Sequence, residues 1–338
     1  MSLKTITAAA ALAVLCTETA LAQEVTLRLS HWVPATHPTH TQSIEPWAES
    51  ISQASDGRIK IQIFPAQQLG TAPNHYDMTR DRIVDFGYTN PGYQAGRFPI
   101  YSLAEMPFLI SNAPRGAAAL HEWYAPLAET EMKDVKFCLA NPHDPGTIHS
   151  KVPIMEPGDI KGLNVRPADA TISRFISLLG GGPVQVPAPE AREAIANGVA
   201  DAITFPWGSI YIFSIDSETK QHLDMPFYSS VPMMLMNKTA YAALPDDLKQ
   251  VIDNHCTPEW SEKFSVGWAE AEASGRERAL ADPSHSVNAP TAEQIQMWRD
   301  AAQPLLEEWK ADVAKTGADA DAILSSFIDR LKAHDALY

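Results

Sequence analysis

Val25-Thr26-Leu27-Arg28-Leu29-Ser30-His31, the run from Ser43 to Ala54, and Arg58-Ile59-Lys60-Ile61-Gln62-Ile63-Phe64 decide the fold between them. The first stretch alternates apolar and polar residues, the period of a half-buried strand. The second puts Ile44, Trp47, Ala48 and Ile51 on one face at helical spacing. Asp56-Gly57 is a stop and turn signal, and the third stretch alternates again with Ile59, Ile61 and Ile63 on one side. A strand, a helix and a strand in succession form a unit that favours a parallel sheet covered by helices.

Outward from this unit the pattern repeats. Helices are expected over Asn74–Arg82, Arg115–Met132, 170–179 and 189–196, and strands over Ile83–Thr89, Val135–Ala140, Leu163–Arg166, Pro183–Val186 and Ala200–Phe205. Val231 to Met236 is an apolar strand running into Asn237. Beyond Pro258 one long helical pattern reaches about Ala281, and two more helices follow. No repeat or low-complexity linker interrupts the chain. Two domains would therefore be joined by crossing strands or a shared helix, which suits a hinge with a ligand cleft between lobes.

The first residues read as an export signal. Lys4 supplies a positive start, Ile6 to Leu15 a short apolar run, and Ala20-Leu21-Ala22 a small-x-small cleavage site before Gln23. The apolar run is too short for a membrane span, which needs about 20 residues. Leu15 before Cys16 is too large for a lipid-attachment site. Cleavage near Ala22 leaves about 316 residues, enough for two domains, in the periplasm. The net charge of -15 excludes nucleic acid and anionic lipid as natural partners. It also repels anions at long range, so any anion site must rest on locally placed donors. Cys138 and Cys256 remain after processing, and they read equally as a disulfide or as two buried thiols.

Enzyme signatures are absent: no Gly-x-Ser-x-Gly elbow, no phosphate loop and no His-Glu-x-x-His. Gly180-Gly181-Gly182 stops a helix before Pro183 and opens none, unlike a dinucleotide fingerprint. His31, His37 and His40 cluster loosely without a carboxylate pattern, so no metal is assigned. No cofactor is implied.

The order of motifs resembles the solute receptors of TRAP transporters of the dicarboxylate-binding (DctP) type. The resemblance runs through Ser30-His31-Trp32-Val33-Pro34, Ser55-Asp56-Gly57-Arg58, Phe64-Pro65, Gln68-Leu69-Gly70, Ile83-Val84-Asp85-Phe86-Gly87 and Met106-Pro107-Phe108-Leu109. It is strongest at Asp159-Ile160-Lys161-Gly162-Leu163-Asn164-Val165-Arg166. It persists through Asn197-Gly198-Val199-Ala200-Asp201-Ala202 and Met236-Asn237-Lys238, and so covers nearly the whole mature chain. It implies a two-lobed α/β periplasmic binding protein. Each lobe would be a mixed, mostly parallel sheet flanked by helices, with a long bridging helix and the ligand in the cleft between lobes. The implied lobes are residues 23–146 plus 232–270, and 147–231 plus 271–338. The resemblance also implies a monomer that hands a small carboxylate to membrane permease subunits driven by an ion gradient.

Within the resemblance, Arg166 holds the position of the arginine that grips the ligand carboxylate. A guanidinium is planar, permanently charged and forked, so it matches both carboxylate oxygens. Many relatives carry a polar residue, often Asn, where Phe205 stands here. Phe205 with Trp207 favours a flat or apolar ligand body; the other reading keeps Phe205 in the core with Trp207 alone facing the cleft. Trp32, His31, Tyr88, Asn90 and His149 are further ligand-binding candidates, each equally open to a structural hydrogen bond. His149 lies in a region where some relatives place a second arginine. A single clamp argues for a monocarboxylate, with a hydroxybenzoate-like aromatic acid as the leading expectation. Aliphatic keto or hydroxy acids, pyroglutamate and ectoine stand as alternatives, as does a sensory subunit reporting to a membrane kinase.

Overall fold

The computed structural model describes residues 25–338. The export-signal reading of residues 1–22 lies outside the described residues. In chain order the strands are β1 (Val25–Ser30), β2 (Ile59–Phe64), β3 (Phe86–Thr89), β4 (Val135–Ala140), β5 (Thr147–Ser150), β6 (Asn164–Arg166), β7 (Gly182–Pro183), β8 (Ala202–Phe205), β9 (Gln221–Leu223), β10 (Met233–Asn237) and β11 (Ser286–Asn288). They form two sheets. One has the order β2-β1-β3-β10-β4, the other β11-β9-β5-β8-β6-β7. In the first, β2, β1 and β3 run parallel and β10 is inserted antiparallel between β3 and β4. In the second, β6 pairs in parallel with β7 and β8, while β5 opposes both β8 and β9.

The opening β-α-β unit forms as its periodicity dictates. Ile44, Trp47, Ala48 and Ile51 are all buried under the first sheet. The Trp47 ring meets Phe86 of β3 edge-on at 5.2 Å, and its Nε1 donates to the His255 carbonyl at 2.9 Å. The predicted helix start moves from Ser43 to Glu45, because residues Thr39–Ile44 take a wider π-helical turn. Such turns recur at functional sites, and this one follows His37, whose ring packs against Phe213 at 6.0 Å. Sequence periodicity overlooks β5, β9 and β11. Each has only three or four residues, too few for a period to show.

The chain crosses between the sheets twice, over 141–146 and 224–232, and the two crossings pair with each other. Asn141 N–H donates to the Pro232 carbonyl at 2.8 Å and Gly146 N–H to the Tyr228 carbonyl at 2.8 Å. A third connection is the helix Pro258–Ala281, hereafter the long helix. Thr257 caps its start, accepting from Trp260 N–H. Phe264 takes a hydrogen bond from Ser43 beside the first sheet, and Arg276 pairs with Asp224 beside the second. Cys138 of β4 and Cys256, just ahead of the long helix, form a disulfide, which settles the pairing left open by the sequence. Helices Ala292–Ala314 and Ala320–Ala333 close the structure. Trp309 of the former bonds the Pro99 carbonyl at 2.8 Å, and Arg330 of the latter pairs with Glu122. No described helix is long and apolar enough to cross a membrane.

Candidate functional site

A cavity enclosing about 380 Å³ of empty space, mouth included, lies where the strand ends of the two sheets face each other. Ligands in open α/β sheets sit outside the carboxyl ends of the strands, and both sheets follow that rule. Trp32 follows β1, Asn90 follows β3 and His143 follows β4 on one side. Arg166 ends β6 and Phe205 ends β8 on the other. The paired crossings add Tyr228 and Ser230, and the long helix adds Trp268. A wider open crevice, about 1690 Å³ on the same measure, runs between Pro91–Met106 and helix Ala292–Ala314. Its arginine, Arg174, is already paired with Glu308.

Arg166 is 1 % exposed, yet no carboxylate of the described residues is within ion-pair distance of it. Its Nε donates to the Val186 carbonyl at 2.9 Å and its Nη1 to the Thr204 carbonyl at 3.4 Å. Nη2 has no partner. The Phe205 ring centre lies 5.3 Å from its Cζ. A buried cation without an anion is costly, and an arriving carboxylate removes that cost. Asp169, three residues on, is engaged elsewhere: it accepts from Ile172 N–H at 2.8 Å and Ser230 Oγ at 2.7 Å. Burial pushes its carboxyl up to about 6.

Two more buried donors on the cavity wall lack partners, Trp32 Nε1 and Tyr228 Oη. Asn90 Oδ1 accepts from Gly92 N–H, which turns the chain at the end of β3. His37 and His143 complete the polar part. Thr39 N–H donates to His37 Nδ1 at 3.1 Å, so the proton of the neutral ring sits on Nε2. His143 Nε2 accepts from Ser230 N–H at 2.9 Å, leaving Nδ1 to donate to the Asp144 carbonyl. Burial holds His37 at about 3 and His143 at about 4, so both rings are neutral at physiological pH. The remaining wall is aromatic. Phe213 meets Phe205 edge-on at 5.4 Å, and Trp268 meets His37 edge-on at 5.3 Å.

The arrangement resembles known proteins along most of its length. The family model for bacterial extracellular solute-binding proteins, family 7 (DctP), matches residues 29–312. The chain belongs to this family. Among solved structures, a TRAP solute-binding protein from Rhodoferax ferrireducens with copurified benzoate is 30% identical, with TM-score 0.87, covering 92% of this chain and 98% of that one. A marine metagenome TRAP solute-binding protein with 3-hydroxybenzoate is 29% identical, TM-score 0.87, covering 93% and 99%. A Bordetella bronchiseptica TRAP protein with bound (R)- and (S)-mandelate is 27% identical, TM-score 0.86, covering 91% and 99%. Family 7 proteins of this kind are extracytoplasmic solute receptors that work with membrane permease subunits.

In this family 7 protein the residues singled out from sequence divide into two groups. Arg166, Phe205, Trp32 and Asn90 line the cavity together. Tyr88, His31, His149 and Trp207 stand behind its wall. Tyr88 stacks on Trp32 at 6.1 Å and accepts from Asn141 Nδ2. His31 Nε2 is bonded to His40 Nδ1 at 2.8 Å, ring to ring. His149 Nε2 donates to the Phe205 carbonyl at 3.1 Å, and its ring meets Trp207 edge-on at 5.0 Å. Trp207 faces away because β8 ends at Phe205 and Pro206 opens a turn, so the two-residue alternation of a strand no longer applies. Sequence reading missed His143, Tyr228, Phe213 and Trp268 as wall residues.

Proposed function

We propose that this receptor captures an aromatic monocarboxylate of the benzoate or hydroxybenzoate kind and passes it to the permease of a TRAP transporter. The observation that carries the reading is Arg166: buried, fixed by two backbone carbonyls, without a counter-charge, and with Nη2 unpaired. A carboxylate supplies the missing anion and acceptors. Among the described residues no second lysine or arginine lines the cavity, which favours one carboxylate over two. Phe205 beneath the guanidinium and Trp268, Tyr228 and Phe213 around it suit a flat ring, by burial and stacking. Trp32 Nε1 and Tyr228 Oη offer hydrogen bonds to a ring or side-chain hydroxyl. Relatives 27–30% identical that hold benzoate, 3-hydroxybenzoate and mandelate support the same class.

The two lobes, residues 23–146 plus 232–270 and 147–231 plus 271–338, close over the ligand in the periplasm, and the receptor acts as a monomer. Asn90 completes the polar rim. Tyr88, His31, His149 and Trp207 act by holding the wall. A thermal-shift panel of the mature protein tests the ligand class. Benzoate, 3-hydroxybenzoate or mandelate at 100 times Kd stabilises by about 2.7 kcal/mol and raises the melting temperature by roughly 5 °C. A shift with pyroglutamate, ectoine or aliphatic keto acids and none with aromatic acids refutes it.

A further inference from the structure

The long helix carries a carboxylate that no ligand contact uses. Glu272 is 3 % exposed and has no basic partner among the described residues. It accepts four hydrogen bonds instead. One oxygen takes the backbone N–H groups of Gly208 and Ser209, the latter at 3.1 Å. The other takes Ser209 Oγ and, at 2.6 Å, Trp268 Nε1. All four contacts are donors, which an ionised carboxylate satisfies and an amide cannot. Ser209 and Trp268 line the cavity, and Gly208 lies three residues beyond Phe205.

The backbones meet here as well. A Cβ on Gly275 would fall inside contact distance of Trp207 C and Gly208 N, and one on Gly208 would strike the Ala271 carbonyl. Glu272 therefore sits where the turn after β8 is fastened to the helix that touches both sheets.

We infer that Glu272 is a positioning residue for ligand selection, holding the Trp268 ring and the Phe205–Ser209 turn in the one geometry that admits a flat ring. The inference rests on the Arg166 cavity being the ligand site. The test is calorimetric titration of benzoate into the wild type, Glu272→Gln, Ser209→Ala and the double variant, with Arg166→Ala as control. The 15N–1H indole spectrum of the ligand-free proteins accompanies it, Trp268 being the resonance lost in Trp268→Phe.

Glu272→Gln is expected to weaken benzoate binding at least tenfold and to move the Trp268 indole resonance, and Ser209→Ala to weaken binding several-fold. The double variant is expected to bind no more weakly than Glu272→Gln alone. Affinity within twofold of wild type in Glu272→Gln, effects that simply multiply, or an unmoved indole resonance would each overturn the inference. If Glu272→Gln does not fold, Ser209→Ala decides: unchanged affinity with an unchanged indole resonance overturns it. A wild type that binds no benzoate, or an Arg166→Ala variant that binds it undiminished, sinks the ligand-site reading first, and the positioning role with it.

Discussion

In the proposed reading, Arg166 is a single side chain that stores a preference for an anion. Its guanidinium is held at Nε and Nη1 by the carbonyls of Val186 and Thr204, so its orientation is set before a ligand arrives. Pre-orientation lowers the ordering cost of binding. In the proposed reading Phe205 then decides what stands behind the carboxylate. Phe205→Asn trades a ring 5.3 Å from the cation for an amide. The expected outcome is about a tenfold loss of benzoate affinity, from lost stacking and burial, with aliphatic hydroxy acids losing less; calorimetry reads both. These two residues were legible in the chain because they end strands inside motifs whose order is distinctive. His143, Tyr228 and Trp268 were not, because they reach the cavity from two crossings and a helix far apart in sequence.

The element that organises the site is the long helix. Its span was legible from Pro258 and the apolar pattern, and the structure gives Pro258–Ala281. What periodicity could not reveal is how closely it approaches the turn after β8. That approach requires glycine at 275, since the nearest atoms to any added Cβ are backbone. Gly275→Ala is therefore expected to push the helix off the turn. Overpacking of this kind costs about 1–3 kcal/mol. The melting temperature should fall by several degrees and benzoate affinity should fall with it, as scanning calorimetry and titration would show. A variant that melts and binds as the wild type does would mean the helix and turn are free to separate. The sheets illustrate the converse limit. The opening β-α-β unit was readable because three elements of ten, six and six residues each display a period. The strands β9 and β11, three residues each, show themselves only through their pairing.

Over the whole molecule, the feature with the widest consequence is burial of histidine in neutral form. Burial holds His31 and His37 at about 3 and His121, His143 and His222 at about 4. The unfolded chain protonates these rings near 6.5. Their folded values are depressed, so the unfolded state binds more protons below 6.5. Each ring then withdraws about 1.4 kcal/mol of stability per pH unit between 6.5 and its folded value. Glu272, pushed up to about 7 by burial, and Asp169, up to about 6, act in the opposite direction over the same window, as do Glu105, Glu131 and Asp144, which burial also raises. His75, His149 and His285 are lowered as well, so eight histidines stand against five acids, and the melting temperature should drop as pH falls from 6.5 towards 5. A flat profile there would contradict the buried, neutral assignment. On the proposed reading a chain of net charge -15 takes up an anion against its own long-range field, and only the cavity's own donors reverse that sign.

The most direct test of the account is a calorimetric titration of 3-hydroxybenzoate into the mature wild type and into Arg166→Ala. Truncating one partner of a buried charged pair costs about 2–5 kcal/mol. The account predicts binding to the wild type and a loss of affinity of at least roughly 30-fold in the variant. Equal affinity in the two proteins would contradict it.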